Sequence, residues 1–105
     1  MSIEEAIVLV LSTPLLAKAK ILAGELAWSA DDALEVINSL SASHFSVVGV
    51  ELWQEHQGSP KWIATSDYNH SEDGDNKQYV ELCAQSAKQF VLRFQHEPDA
   101  LFNLI

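Results

Sequence analysis

The sequence predicts an α+β fold: a small, mainly antiparallel sheet packed with about three helices, in the order α-β-α-β-β-α. Three observations carry this. Apolar residues recur at helical spacing in three segments, near the start, after Ser29, and across residues 78–94. β-Branched and aromatic residues crowd residues 45–55 and 61–68, on either side of a turn cluster, HQGSP. The 105 residues fit one domain spanning 1–105, large enough to bury roughly 60–70% of its unfolded surface around one core.

The first helix begins at once. Ser2 with Glu5 three residues later forms a capping box, and Ile3, Ala6, Ile7, Val10 and Leu11 fall on one stripe. Pro14 biases Thr13 away from helical angles, so the helix should stop near Ser12. A strand is expected over 21–28, with Leu22, Leu26 and Trp28 lining a core face, although its Ala and Lys favour helix. Ser29 caps a second helix, and Asp31 and Asp32 complement its positive end. Its apolar residues are Ala33, Leu34, Ile37 and Leu40, and it ends in the SLSAS stretch.

Residues 45–55 form a long strand and 61–68 its returning partner. Trp53 and Trp62 flank the turn and either pair across it or share a face. An acidic loop follows. The last helix covers 78–94, with Val80, Cys83, Ala84, Ala87, Val91 and Phe94 as its stripe, and Pro98 lies beyond its end. The tail DALFNLI is apolar enough to pack back on the body.

Composition excludes several function classes. With 48% apolar residues the chain is not disordered. A net charge of −9, from fifteen acids against six bases, repels nucleic acid and anionic membrane surfaces. It either favours a basic partner or serves solubility. The single cysteine, Cys83, leaves no internal disulfide framework and points to a reducing compartment. The apolar run AIVLVL is far short of the ~20 residues of a membrane span. It follows Glu4 and Glu5, where a secretory signal carries bases. Neither export nor membrane insertion is expected, and the expected location is the cytoplasm.

No catalytic, metal or cofactor site is predicted. A calcium loop starting at Asp67 places Glu72 where Gly is needed and Gln78 where Glu is needed; one starting at Asp73 places Lys77 at a ligand position. His44, His56, His70 and His96 are widely spaced and read as loop or cap residues, and Cys83 as a small core residue. Ser59 lies in QGSPK, which is not a nucleophile elbow, and no glycine-rich phosphate loop exists. The pairs Glu4–Glu5 and Asp31–Asp32 read as dipole partners at helix starts. Glu51 and Glu55 share a strand parity, and a buried Glu51 would need an ion-pair partner.

What remains is surface. SDYNHSEDGDN, residues 66–76, is an acidic strip fed by an aromatic hairpin. Aromatic anchors beside a charged rim suit a protein interface. The predicted partner-binding residues are therefore Trp53, Glu55, Trp62, Asp67, Tyr68, Asn69, His70, Glu72, Asp73 and Asp75. The alternative places the tryptophans in the core beside a merely solvated loop. Asp31, Asp32 and Glu35 offer a second acidic patch. Two rival functions remain: a small enzyme using His44, Glu51 and His70, or an adaptor docking through the tail, residues 101–105.

The pieces GELAW at 24–28, VVGVELW at 47–53 and PKW at 60–62 resemble a group of small immunity proteins of bacterial polymorphic-toxin and contact-dependent growth inhibition systems. The resemblance spans about residues 21–68, with a compatible opening helix. It implies a cytoplasmic protein that binds one cognate toxin domain and blocks it. It also implies that no catalytic residue is present. Many such toxins are nucleases, which are basic because they hold phosphates, so the resemblance and the charge point to a basic nuclease, a ribonuclease in the leading reading. An inhibitor of this kind presents carboxylates where the substrate presents phosphates.

Overall fold

The computed structural model describes residues 3–22, 24–56, 59–67 and 77–105. The capping serine Ser2 and the turn residues Gln57 and Gly58 lie outside them. So do Tyr68, Asn69, His70, Glu72, Asp73 and Asp75 of the acidic strip. Among the described residues the elements run α1 (Ile3–Val10), α2 (Thr13–Ala17), β1 (Lys20–Leu22), β2 (Glu25–Ala27), α3 (Ala30–Ala42), β3 (Gly49–His56), β4 (Ser59–Asp67), α4 (Lys77–Arg93) and β5 (Ala100–Leu104). The α+β class holds, with three additions to the expected order.

The first addition is α2. Pro14 does end α1, but it also starts a second short helix, where its missing N–H costs nothing. Ser12 caps that helix, its hydroxyl accepting from the Leu15 amide at 3.4 Å. The second addition corrects the strand expected over 21–28. Gly24 has φ +81, a conformation that glycine adopts at little cost, and the chain reverses there. β1 and β2 are therefore an antiparallel hairpin, with Ile21 opposite Leu26. The reversal splits the expected core face: Trp28 and Leu26 join the main core, while Leu22 packs with Ala27 elsewhere.

The third addition is β5. The tail is a strand paired along β3, so the sheet order is β4-β3-β5, antiparallel throughout. The β1–β2 hairpin joins this sheet through an isolated bridge. Trp28 and Phe102 exchange two backbone hydrogen bonds, of 3.0 and 2.7 Å. The Asn103 amide also donates to the Leu26 carbonyl at 2.8 Å. β3 starts at Gly49, so residues 45–48 precede it outside any strand. There the Val48 amide donates to the Ile105 carbonyl at 2.9 Å.

The helices cover one face of the sheet. Val50 and Leu52 of β3 and Phe102 and Leu104 of β5 meet Ala6, Ile7, Val36, Ile37, Leu40, Ala84, Ala87 and Val91 in one cluster. These are the stripes expected of α1, α3 and α4, with Val36 more deeply buried in α3 than Leu34. Trp28 is fully buried, and its indole N–H donates to the Leu15 carbonyl at 3.1 Å, which ties α2 to the core. α3 ends in a left-handed cap. His44 has φ 64, the Phe45 amide donates to the Leu40 carbonyl at 2.9 Å, and the His44 amide donates to the Ser41 carbonyl at 3.0 Å. His44 is thus a cap residue, as its spacing suggested. Among the described residues no helix is long and apolar enough to cross a membrane, and no group of His, Cys, Asp and Glu could hold a metal ion.

Candidate functional site: the uncovered sheet face

Antiparallel sheets commonly bury one face and leave the other to solvent. Here the face away from the helices carries Glu51, Trp53 and Glu55 from β3, opposite Asn103 and Leu101 of β5 on one side and Thr65, Trp62 and Pro60 of β4 on the other. Leu22 and Ala27 of the hairpin pack with Leu101 beneath Trp53. This face is neither the plain solvated face of a sheet nor a sealed core: it is an apolar floor with two tryptophans and two glutamates on it.

A β-bulge builds the tryptophan pair. Leu52 pairs with Ala64, but Trp53 pairs with Trp62, so Ile63 has no partner. In unbroken register Trp53 would face Ile63, and Trp62 would point toward the helices. The extra residue turns Trp62 onto the Trp53 face, which is a recurrent use of a bulge. The two tryptophans differ in depth. Trp53 is half-buried against Leu22, Ala27 and Leu101, whereas Trp62 stays 50% exposed on the edge strand. With Trp28 inside, the three tryptophans occupy three environments.

Of the predicted partner-binding residues, the structure brings Trp53, Glu55 and Trp62 together on this face. Asp67 is placed by its backbone, paired with Gly49 at the far end of the same ladder. Tyr68, Asn69, His70, Glu72, Asp73 and Asp75 lie beyond the described residues. Sequence reasoning did not place Glu51 in this group. It shares strand parity with Trp53 and Glu55, and that period of two was the signal available. A partner was expected only of a buried Glu51; the residue is half-buried and makes no ion pair among the described residues. Leu101 was missed as well, because residues 100–104 are buried almost throughout and show no alternation.

An open cleft of about 690 Å³ adjoins this face, and Glu55 and Leu101 belong to both. Its other walls include Lys20, Asp32 and Asp99. Asp32 is already engaged, by Lys18 and by the Ser29 hydroxyl at 3.1 Å. That hydroxyl donates to Asp32 and does not cap α3 through its side chain, as its position had suggested. The second acidic patch therefore keeps Asp31 and Glu35 exposed on α3 and Asp32 half-buried. Of the residues suspected of catalysis, His44 caps α3 and Glu51 sits in mid-β3 on the uncovered face, while His70 is outside the described residues. The tail strand is a structural member of the sheet, with Leu101, Phe102 and Leu104 buried. An adaptor docking through that tail would have to expose them.

Two comparisons with known proteins, against curated sequences and against solved structures, yield no match. A family model does match, over residues 16–105, which takes in the whole sheet, α3 and α4. Its description is immunity protein 40, and it agrees with the resemblance carried by the sheet segments. The chain thus belongs to the immunity protein 40 family, whose members bind and neutralise a cognate toxin.

Proposed function

We propose that this immunity protein acts in the cytoplasm by binding alone, laying its uncovered sheet face and the acidic strip that follows β4 over the active site of a basic toxin domain, a ribonuclease. The observation that carries this reading is the bulge-built pair of Trp53 and Trp62 between Glu51 and Glu55. A partly exposed tryptophan over an apolar floor supplies contact area at low entropic cost, and carboxylates around it select a basic counterpart. The net charge of −9 supports the same partner through faster, steered encounter. Asp67, Glu72, Asp73 and Asp75 would meet Lys or Arg of the toxin, and Tyr68, Trp53 and Trp62 would supply the desolvated anchors.

The test is to take the C-terminal domain of the product of the neighbouring open reading frame as the candidate toxin, co-express it with this chain, and run the pair over a sizing column at low and moderate salt. The expected result is a one-to-one complex that relieves growth arrest and weakens as salt rises. Two folded chains with no complex and no protection would refute the reading. A complex that leaves RNA cleavage by the toxin unchanged would refute occlusion of the active site.

A further inference from the structure

We propose that the cleft beside Asp99 receives one arginine side chain of the toxin, with Glu55 and Asp99 as its acceptors. The inference rests on the uncovered sheet face being the toxin interface, and it extends that interface around the end of β3. The β3–β5 ladder runs to Gln54 opposite Ala100, so Glu55 and Asp99 stand at the next step, both lining the cleft. Leu101 and Ala100 give it an apolar wall that suits the methylene stem of a long basic side chain.

The charges sort themselves. Lys18 is spent on Asp32. Among the described residues, Glu55, Asp99 and Lys20 have no ion-pair partner. The cleft therefore offers two carboxylates against one ammonium, and a hollow of about 430 Å³ that shares Asp99 with it adds Asp31 and Glu97. The balance admits a cation. A planar guanidinium can engage two carboxylates at once, which an ammonium does less well. The Asp99 position is also held firmly: the Gln54 amide donates to the Pro98 carbonyl at 3.1 Å and to Glu97 at 3.5 Å, fastening the turn to β3.

Asp99 permits a clean experiment. Its φ is 55, where glycine sits more easily than any other residue. Asp99→Gly therefore relieves strain while deleting the carboxylate, so weaker binding cannot be blamed on a damaged fold. Affinity for that toxin domain would be measured by calorimetry for Asp99→Gly, Glu55→Gln and Lys20→Gln. Glu81→Gln serves as a control of equal charge change at an exposed position of α4, and Trp62→Ala reports on the sheet face. Asp99→Gly and Glu55→Gln should each weaken binding at least about tenfold, Lys20→Gln should tighten it, and Glu81→Gln should change it little. Equal, small effects at Asp99, Glu55 and Glu81 with a large loss for Trp62→Ala would overturn the cleft and leave the sheet face standing. Weaker binding by Lys20→Gln would overturn the cation and indicate an anionic guest. Absence of any wild-type complex would overturn the reading beneath both.

Discussion

Replacing Trp62 by alanine separates binding from folding. The side chain is 50% exposed. With up to roughly 250 Å² on a tryptophan, about 125 Å² remains for a partner to cover, worth about 3 kcal/mol at ~25 cal/mol per Å². That is on the order of a hundredfold in Kd. The covered half of the side chain sets the cost to folding. By the same measure its burial is worth at most about 3 kcal/mol, which includes about 0.2–1 kcal/mol from the cross-strand pair with Trp53. The variant should therefore stay folded with a lowered urea midpoint while losing most of its affinity for the toxin domain in the absence of denaturant. Calorimetric titration and urea unfolding of the same preparation check both halves. An affinity within about threefold of wild type would show that Trp62 is not an anchor, and would remove the main support for the sheet face as the interface.

Other expectations concern the fold. Trp28→Phe removes the indole donor to the Leu15 carbonyl, which keeps the Lys18 amide at 3.3 Å, and leaves a void in the core, a loss of about 2–4 kcal/mol read as a lower urea midpoint. Gly49→Ala sets a Cβ 2.7 Å from the Ser66 backbone oxygen, so it should destabilise the β3–β4 ladder by about 1–3 kcal/mol. Gly24→Ala meets nothing within 4 Å, and should lose only about 1 kcal/mol, through its positive φ; an equal cost at both sites would contradict this assignment. Deleting residues 100–105 should abolish cooperative unfolding by circular dichroism, because β5 binds both β3 and the hairpin. Burial pushes the Cys83 thiol up from its ordinary value of 9.0, partly offset by a side-chain hydrogen bond with Tyr79. The folded state then keeps the proton that the unfolded state releases. The stability Cys83 contributes is complete below the unfolded value and declines as pH rises past it, so Cys83→Ala should flatten part of the alkaline decline in unfolding free energy.

How much of this was legible depended on the range of the physics involved. The stripes of α1, α3 and α4, the cap after α3 and the β3–β4 hairpin arise from local periodicity, and they stand where the pattern put them, except that β3 begins at Gly49 and not at Phe45. α2 and the Gly24 reversal were also local, but ambiguous. Pro14 both ends and begins a helix, and Gly24 looks like an ordinary residue of a strand until its φ is known. β5 could not be recognised by alternation, since helices bury one of its faces and Leu22, Ala27 and Trp53 bury the other.

The candidate site divides in the same way. Acidity, the aromatic hairpin and the family are legible in the chain alone, because charge, composition and short sheet motifs need no coordinates. Which tryptophan is core and which is surface follows from the assembled sheet. That choice rests on one unpaired residue, Ile63, which shifts the β4 register and turns Trp62 to the uncovered face. The assembled fold alone sets Glu55 and Asp99 around one cleft. Strands far apart in the chain meet by hydrogen-bond register, and register is a property of the pair and not of either strand.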